Sequence, residues 1–380
     1  MNACRSAFGN AGQKCSACSL FLVERSVYAN PEFFDKLKDC ASSLKCGPVW
    51  DAGNIVGPMI TNKNEKLERA FQLDEGERWL IEPQFVDEEH FILRPTIKVD
   101  VKPDSFTFRT ELFAPLLAVA PFDTLEEAVN LVNDLDYGLT SGLQSLDEEE
   151  QRYWKNHIKA GNLYINRGIT GAIVGRQPFG GMKLSAFGPG LKAGGPNYVL
   201  QFMNITDKAD SKTDYRASYA EWYEKEFRHA RNLHPEIRGE QNVFRYLPLK
   251  EGMVLRLFGT ESLEQVKMVA LAAKTVGTPL VISLDEGNTL LSSVRPLCNH
   301  VHVEPLDAFC NRIKDFGRVR TISQDVPDQV FMAAAECNKY IEQALPVRDG
   351  RIELTRYIRE QSISNEYHRY GSQIEVPPIE

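Results

Sequence analysis

Hydrophobic positions in the first half of the chain follow two alternating patterns. Short continuous apolar runs predict buried strands, at 20–23, 116–120 and 163–165. Helical spacing or an N-capping pattern predicts helices at 31–44, 61–73, 124–135 and 145–158, with Asn30, Thr61, Thr124 and Ser145 as their N-caps. A further strand at 91–101 is interrupted by Pro95, which cannot donate to a sheet ladder. The alternation predicts an α/β sheet with crossover connections.

The second half repeats this alternation after a polar linker at 205–214 and an aromatic-rich helix at 215–230. Strands are predicted at 254–258, 280–284, 301–303 and 319–322, and helices at 262–276, 308–316 and 328–344. Their order resembles half of a doubly wound nucleotide-binding fold. The turn after Phe258 holds a single glycine, Gly259, so no dinucleotide site is predicted there.

The predicted organisation is a larger α/β domain at 1–204, the linker, a smaller doubly wound α/β tail domain at 215–345 and an extended arm at 346–380. The arm mixes apolar residues with four arginines, which are Arg351, Arg356, Arg359 and Arg369. Such a segment is expected to pack on something, and a neighbouring subunit is one candidate.

Composition narrows the class of protein. The 380 residues carry a net charge of −8, and nothing supplies the basic face of a nucleic-acid-binding protein. There is no run of 18 apolar residues to span a membrane and no apolar signal segment at the N-terminus. Eight cysteines in a chain of this length are best explained as free thiols, so a cytoplasmic protein is expected.

Two clusters invite a metal interpretation. Cys15 and Cys18 form a lone CxxC without a second pair at zinc spacing. Cys298, His300 and His302 alternate, which places all three on one face of a strand, where ordinary packing is the commoner explanation. No metal site is predicted.

The stretch from Ser6 to Cys18 holds the strongest candidate for chemistry. Gly9 and Gly12 allow tight turns and close backbone approach. Lys14 places a cation beside the thiol of Cys15, and backbone N–H groups there can stabilise a thiolate and an oxyanion. The two interpretations are a catalytic nucleophile and a free cysteine that packs as a small hydrophobic residue.

Residues 167–197 break the regular pattern with nine glycines. The segment matches neither phosphate-loop pattern, and its apolar residues indicate an ordered loop with exposed backbone amides. Such amides bind carboxylates well, so the loop is either a ligand site or a structural connection. A closing strand is predicted at 198–203.

The run Gly-Gln-Lys-Cys-Ser-Ala at 12–17 resembles the nucleophile motif of the aldehyde dehydrogenase superfamily. Lys14 and Ser16 make it most similar to the branch that oxidises glutamate γ-semialdehyde, namely pyrroline-5-carboxylate dehydrogenase and the C-terminal half of bifunctional proline utilisation A. The resemblance covers about residues 1–204. The segment from Glu111 to Pro115 is similar to the family's E-x-F-G-P turn, with Ala114 in place of glycine.

The resemblance implies a covalent mechanism. Cys15 attacks the aldehyde, hydride passes to NAD, and water activated by a carboxylate hydrolyses the thioester. It implies that Glu111 and Phe113 contact the cofactor, through the ribose hydroxyls and the nicotinamide. It also implies that the substrate is bound by Lys14, Ser16, Gly171, Ala172 and Phe179, the two loop residues through backbone N–H groups at its α-carboxylate. Met182 and Ala186 depart from the family's usual loop residues.

In the family, the general-base glutamate, the side-chain oxyanion donor and the cofactor-binding half precede the nucleophile motif, whereas this chain begins fourteen residues before Cys15. The expectation is therefore a C-terminal portion of a larger enzyme, inactive alone, with FAD only if a proline dehydrogenase domain precedes it. The region after 215 resembles the tail domain of longer proline utilisation A proteins, so an assembly role and a homo-oligomer formed through the arm are expected. The alternatives are an aldehyde dehydrogenase for another substrate and a non-catalytic assembly subunit.

Overall fold

The computed structural model describes residues 1–62, 64–208, 210–233, 237–323 and 325–368. Its described residues form two compact units, one of residues 1–173 and 364–368 and the other of residues 174–363. This division places the second part of the glycine-rich loop with the tail region, whereas the sequence pattern suggested a boundary at residue 204. Residues 369–380 of the predicted arm, including Arg369, lie outside the described residues.

The first unit is an α/β structure built around a mostly parallel sheet. Its helices are α1 Asn2–Phe8, α2 Arg25–Tyr28, α3 Pro31–Ser42, α4 Glu65–Ala70, α5 Phe106–Arg109, α6 Leu125–Asn133 and α7 Glu148–His157. Its strands are β1 Leu20–Glu24, β2 Arg78–Ile81, β3 Phe85–Asp87, β4 Ile92–Leu93, β5 Thr96–Val99, β6 Leu116–Phe122, β7 Tyr137–Gly138, β8 Thr140–Leu143 and β9 Asn162–Ile165.

The main sheet of this unit has the order β1-β6-β5-β2. Strand β6 pairs in parallel with β1 and β5, with Ala118 opposite Leu20 on one side and Lys98 on the other. Because β6 is central, its apolar residues are buried from Leu116 to Ala120, as the continuous run predicted. Strand β2 joins the edge in the antiparallel sense.

Two helices in the first unit begin at a later capping residue than the sequence pattern predicted. Asn64, not Thr61, caps α4, and its Oδ1 accepts from Leu67 N at 3.1 Å. Asp147, not Ser145, caps α7, because its carboxylate accepts hydrogen bonds from the backbone N–H groups of Glu149 and Glu150 in the first turn. The caps predicted at Asn30 and Thr124 are confirmed.

The second unit contains helices α8 Tyr215–Trp222, α9 Leu263–Val276, α10 Leu291–Val294, α11 Leu306–Arg312, α12 Asp328–Glu336 and α13 Gly350–Glu353. Its strands are β10 Met182–Lys183, β11 Arg231–Asn232, β12 Glu240–Pro248, β13 Met253–Leu257, β14 Leu280–Leu284, β15 Val301–Val303, β16 Arg318–Thr321, β17 Ile341–Glu342 and β18 Ile358–Glu366, whose last three residues belong to the first unit.

The tail sheet has the order β15-β14-β13-β16-β17, and every pair in it is parallel. This is the strand order of one doubly wound sheet, which the sequence pattern predicted for this region. Its core is built from β13, which is buried along its whole length, and from the apolar face of α9.

The strand order reverses between β13 and β16, and the loop that follows β13 there binds its own backbone N–H groups with side chains. Glu261 is 7% exposed, and its carboxylate accepts from Phe258 N and from Gly259 N, each at 2.8 Å. Ser262 and Gln265 form a complete capping box on α9. The backbone donors that face ligands in nucleotide-binding relatives of this fold are therefore occupied by side chains here.

Three expectations for the second unit are wrong. Residues Tyr198–Phe202 form a 3₁₀ helix instead of a strand, and Val199 and Phe202 are exposed, so this apolar run does not mark a buried strand. The helix predicted to reach Ala344 ends at Glu336, and strand β17 follows. The predicted arm contains α13 and the buried strand β18, not only extended chain.

The described part of the chain contains no helix that is long and apolar enough to cross a membrane.

Candidate active site

The turn that carries Cys15 is shaped by its backbone contact with the segment at 111–115. Helix α1 ends at Phe8, and a 3₁₀ turn from Gly9 to Gly12 follows. Gly12 has φ +67°, and a Cβ built on it would lie 2.3 Å from Ala114 O. Gly9 has φ −57° and open space around it, so the close approach predicted for both glycines exists only at Gly12.

Cys15 lies in a tight turn closed by Ala17 N, which donates to Lys14 O at 2.9 Å. Both Lys14 and Cys15 are exposed, while Ser16 is buried. Burial raises the pKa of two nearby thiols, Cys4 and Cys18, to about 12. Cys15 is thus an accessible thiol beside a lysine, which are two of the features expected of a reactive cysteine.

The side chain of Gln13 joins three segments at this turn. Its Nε2 donates to Phe113 O at 3.0 Å, and its Oε1 accepts from Ile60 N at 2.9 Å. Phe113 has φ +54° and is 44% exposed, and Glu111 is also exposed. The structure therefore brings the Cys15 turn and the turn at 111–115 together, although they are a hundred residues apart in the chain.

The loop with Gly171 and Ala172 begins next to α1. Ile169 N donates to Ser6 Oγ at 3.1 Å, and Cys18 N donates to Ser6 O at 3.0 Å. Gly171 has φ +82°, and a Cβ built on it would meet no atom within 4 Å. The backbone there is open on that side, as an amide that binds a ligand requires.

Phe179 belongs to the second unit. Its N–H donates to Ala193 O at 2.9 Å, and its carbonyl accepts from Ala193 N at 3.0 Å, so the loop forms a short antiparallel bridge. Next to this bridge Lys192 is 1% exposed, and its N–H donates to Glu360 Oε2 at 2.6 Å. Burial lowers the pKa of Lys192 to about 7, and Glu360 opposes that shift.

Sequence patterns assigned no role in the site to Gln13 or Ser6. Gln13 and Ser6 both lie inside the stretch that the motif identified, but their partners are far away in sequence. Only the fold reveals those partners.

The candidate metal clusters have ordinary surroundings. The thiol of Cys298 donates to Leu280 O at 3.0 Å, which is a strand-end contact. Among the residues that the structure describes, no group of three or more histidine, cysteine and carboxylate side chains is arranged to hold a metal ion.

The profile of the aldehyde dehydrogenase family matches residues 1–207, which is more than half of the chain. The chain belongs to this family of oxidoreductases. It therefore has the mixed α/β aldehyde dehydrogenase fold, and the segments around Cys15, Glu111 and Gly171 all fall inside the matched region.

The relatives described next carry the name of the branch that the motif at 12–17 resembles, 1-pyrroline-5-carboxylate dehydrogenase. The 1-pyrroline-5-carboxylate dehydrogenase of Staphylococcus haemolyticus is 37% identical over 201 residues, which are 52% of this chain and 38% of that enzyme. The enzyme of the same name from Geobacillus sp. is 34% identical over 200 residues, with the same coverage of both chains. The chain thus spans well under half of the length of these relatives.

Among solved structures, proline utilization A from Corynebacterium freiburgense is similar with a TM-score of 0.81 and 33% identity. The similarity covers 97% of this chain and 37% of that one. It therefore extends through the tail region as well as the family domain.

Proposed function

We propose that this chain is the nucleophile-bearing portion of an NAD-dependent L-glutamate γ-semialdehyde dehydrogenase, which converts pyrroline-5-carboxylate to glutamate in proline catabolism. The observation that carries the proposal is the docking of the Cys15 turn on the 111–115 turn, through Gly12 at Ala114 and Gln13 at Phe113. The names of the relatives support the substrate.

The proposed chemistry begins with the Cys15 thiolate, whose sulfur bonds to the aldehyde carbon while the carbonyl oxygen becomes an oxyanion. The Cys15 backbone N–H is the proposed donor to that oxyanion. Bound NAD would supply the acceptor for the hydride that leaves this carbon. Water then cleaves the resulting thioester, which releases the carboxylate product and returns the thiol.

The residues present fit NAD at the 111–115 turn. Glu111 presents an exposed carboxylate, which suits ribose hydroxyls. The ring of Phe113 is partly exposed, and its flat face suits packing against a nicotinamide. Gln13 holds the backbone carbonyl of Phe113 by a hydrogen bond. In the proposal, the side chains of Glu111 and Phe113 bind and orient the cofactor, and neither transfers a proton.

The substrate is proposed to bind by its two ends. The backbone N–H groups of Gly171 and Ala172 take the α-carboxylate, and the open space at Gly171 supports this assignment. Lys14 and Ser16 are proposed to stand beside the aldehyde, and the resemblance to the family assigns Phe179 to the aliphatic part.

The test is a pair of variants in the complete gene product. Cys15→Ser is expected to lower NADH production from pyrroline-5-carboxylate by at least about 10³-fold, because a hydroxyl is a far weaker nucleophile than a thiolate. Cys18→Ser is the matched control and is expected to keep the activity within about threefold. Retained activity in Cys15→Ser contradicts the nucleophile assignment. A preference for uncharged aliphatic aldehydes contradicts the substrate assignment.

For the tail domain we propose an assembly role without nucleotide chemistry, and a homo-oligomer formed through the C-terminal arm. The occupation of the switch-point donors by Glu261 favours this over a second cofactor site. Titration of NAD into this chain, followed by calorimetry, is expected to show no measurable binding. Micromolar binding that persists in Glu111→Ala, which removes the carboxylate proposed for the ribose, contradicts the tail-domain proposal. FAD enters only if a proline dehydrogenase domain precedes this portion.

A further inference from the structure

Ser6, on the helix that leads to the nucleophile, contacts both functional loops of the first unit. We propose that Ser6 is a positioning residue that sets the separation between the Cys15 thiol and the amides of Gly171 and Ala172. It thereby selects the number of carbons between the aldehyde and the carboxylate of the substrate. This inference rests on the proposed function.

The two contacts use different parts of one buried residue. The Ser6 carbonyl accepts from Cys18 N at 3.0 Å, three residues after Cys15. The Ser6 hydroxyl oxygen accepts from Ile169 N at 3.1 Å, two residues before Gly171. Ser6 itself is 3% exposed, so water competes little for either bond.

The contact between Ser6 and the glycine-rich loop depends on glycine at position 168, which has no Cβ. A Cβ built on Gly168 would lie 3.2 Å from Ser6 Oγ, closer than an ordinary carbon–oxygen contact. Glycine at 168 therefore lets the loop backbone approach the hydroxyl, and the bond from Ile169 N follows directly after it. Gly168 and Ser6, which make this close approach, are 162 positions apart in the sequence.

One helical turn before Ser6, a second link ties α1 to the same segment. Asn2 Nδ2 donates to Gln144 Oε1 at 3.2 Å, and Gln144 Nε2 donates to Arg167 O at 3.0 Å. Asn2 and Ser6 are four residues apart, so they lie on one face of α1. The helix thus holds 167–169 at two points.

The consequence for catalysis is geometric. No atom lies within 4 Å of a Cβ built on Gly171, so that side gives the residue no support, and the flanking segment that Ser6 and Gln144 hold contributes to its placement. An error of about 1 Å between a nucleophile and a substrate anchor costs up to about 10²-fold in rate. For a substrate that is bound at both ends, such an error changes which chain length fits best between the thiol and the amides.

The experiment compares ω-semialdehydes of four, five and six carbons in the complete gene product. Ser6→Ala removes one neutral hydrogen bond, worth about 1 kcal/mol or about fivefold. It is expected to lower kcat/KM for the five-carbon substrate about fivefold and to lower its preference over the shorter and longer substrates. Unchanged kcat/KM and unchanged preference overturn the inference.

The matched control is Ser105→Ala. Ser105 is also buried, and its hydroxyl also accepts from a backbone N–H, that of Phe108 at 3.4 Å, at the start of α5. Its loss is expected to leave the substrate preference unchanged. An equal loss of preference in both variants means general destabilisation and also overturns the inference.

A second variant and a second readout keep the outcome decisive. Gly168→Ala pushes the loop from the hydroxyl without needing an unusual φ, and it is expected to shift the preference in the same direction as Ser6→Ala. Hydrogen exchange measured on this chain is expected to speed up about fivefold at Ile169 N in Ser6→Ala and not in Ser105→Ala. Unchanged exchange overturns the positioning role. If the wild type does not oxidise the five-carbon semialdehyde, the proposed function fails, and the exchange still tests the contact separately.

Discussion

The side-chain amide of Gln13 donates to the backbone carbonyl of Phe113 at 3.0 Å, across a hundred positions of sequence. The same side chain accepts from Ile60 N. One glutamine therefore couples the turn of the proposed nucleophile to the turn that is proposed to hold the nicotinamide, and it does so next to the positive φ of Phe113.

Replacement of Gln13 is expected to weaken cofactor binding more than substrate binding. Gln13→Ala loses two neutral hydrogen bonds, and the loss of the one to Phe113 O is expected to raise KM for NAD about fivefold in the complete gene product. Gln13→Glu keeps the shape but turns an oxygen toward Phe113 O, so a larger rise is expected. Steady-state kinetics with each substrate varied in turn provide the measurement. An unchanged KM for NAD in both variants contradicts the coupling.

Gly12 and Gly9 offer a matched test of backbone strain. Gly12→Ala places a Cβ 2.3 Å from Ala114 O at φ +67° and is expected to lower the free energy of unfolding by about 2 kcal/mol or more. Gly9→Ala has open space at φ −57° and is expected to change it by less than about 1 kcal/mol. Urea unfolding of the chain measures both. Equal effects would contradict the close approach at Gly12.

Glu261 is expected to be structural in the tail domain. Glu261→Ala leaves the N–H groups of Phe258 and Gly259 without their partner and is expected to lower the free energy of unfolding by about 1–3 kcal/mol. Glu286→Ala removes an exposed glutamate after β14 and serves as the control, with an effect within about 0.5 kcal/mol. Thermal unfolding of both variants decides whether the carboxylate holds the loop.

Lys192 is expected to make stability depend on pH. Its pKa falls from 10.5 to about 7 on folding, so between these values the unfolded chain binds more protons than the folded chain. The free energy of unfolding therefore rises with pH across this window, with a slope of up to about 1.4 kcal/mol per pH unit. Below pH 7 both states are protonated, and the contribution of Lys192 is constant.

The measurement is the difference in unfolding free energy between the wild type and Lys192→Met from pH 7 to pH 9. The wild type is expected to gain stability relative to the variant as the pH rises. Lys274→Met removes an exposed lysine and is expected to leave the pH dependence of the wild type in place. Parallel curves for the wild type and Lys192→Met would show that Lys192 titrates alike in both states.

Much of the secondary structure was predictable because it is specified locally. The continuous run at 116–120 marks the central strand β6, and Ser262 with Gln265 marks the start of α9. Strand β18 was not predictable, because its polar sequence is buried only through distant partners, such as Arg245, which donates to Gln361 at 2.8 Å. Local sequence patterns do not predict pairing between residues so far apart in the chain.

For the candidate site, the sequence by itself determined the residue types and their order: a cysteine in a family motif, a glutamate and phenylalanine at 111–113, and a glycine-rich loop at 167–197. Only the tertiary structure decided which glycine is under constraint, which side chain joins the Cys15 turn to Phe113, and which residue ties the loop to α1. The physical reason is that Gly12, Gln13 and Ser6 act through backbone atoms 100 to 163 positions away. Hydrogen bonds and close contacts at that range depend on the folded path of the chain, and no spacing along the sequence encodes them.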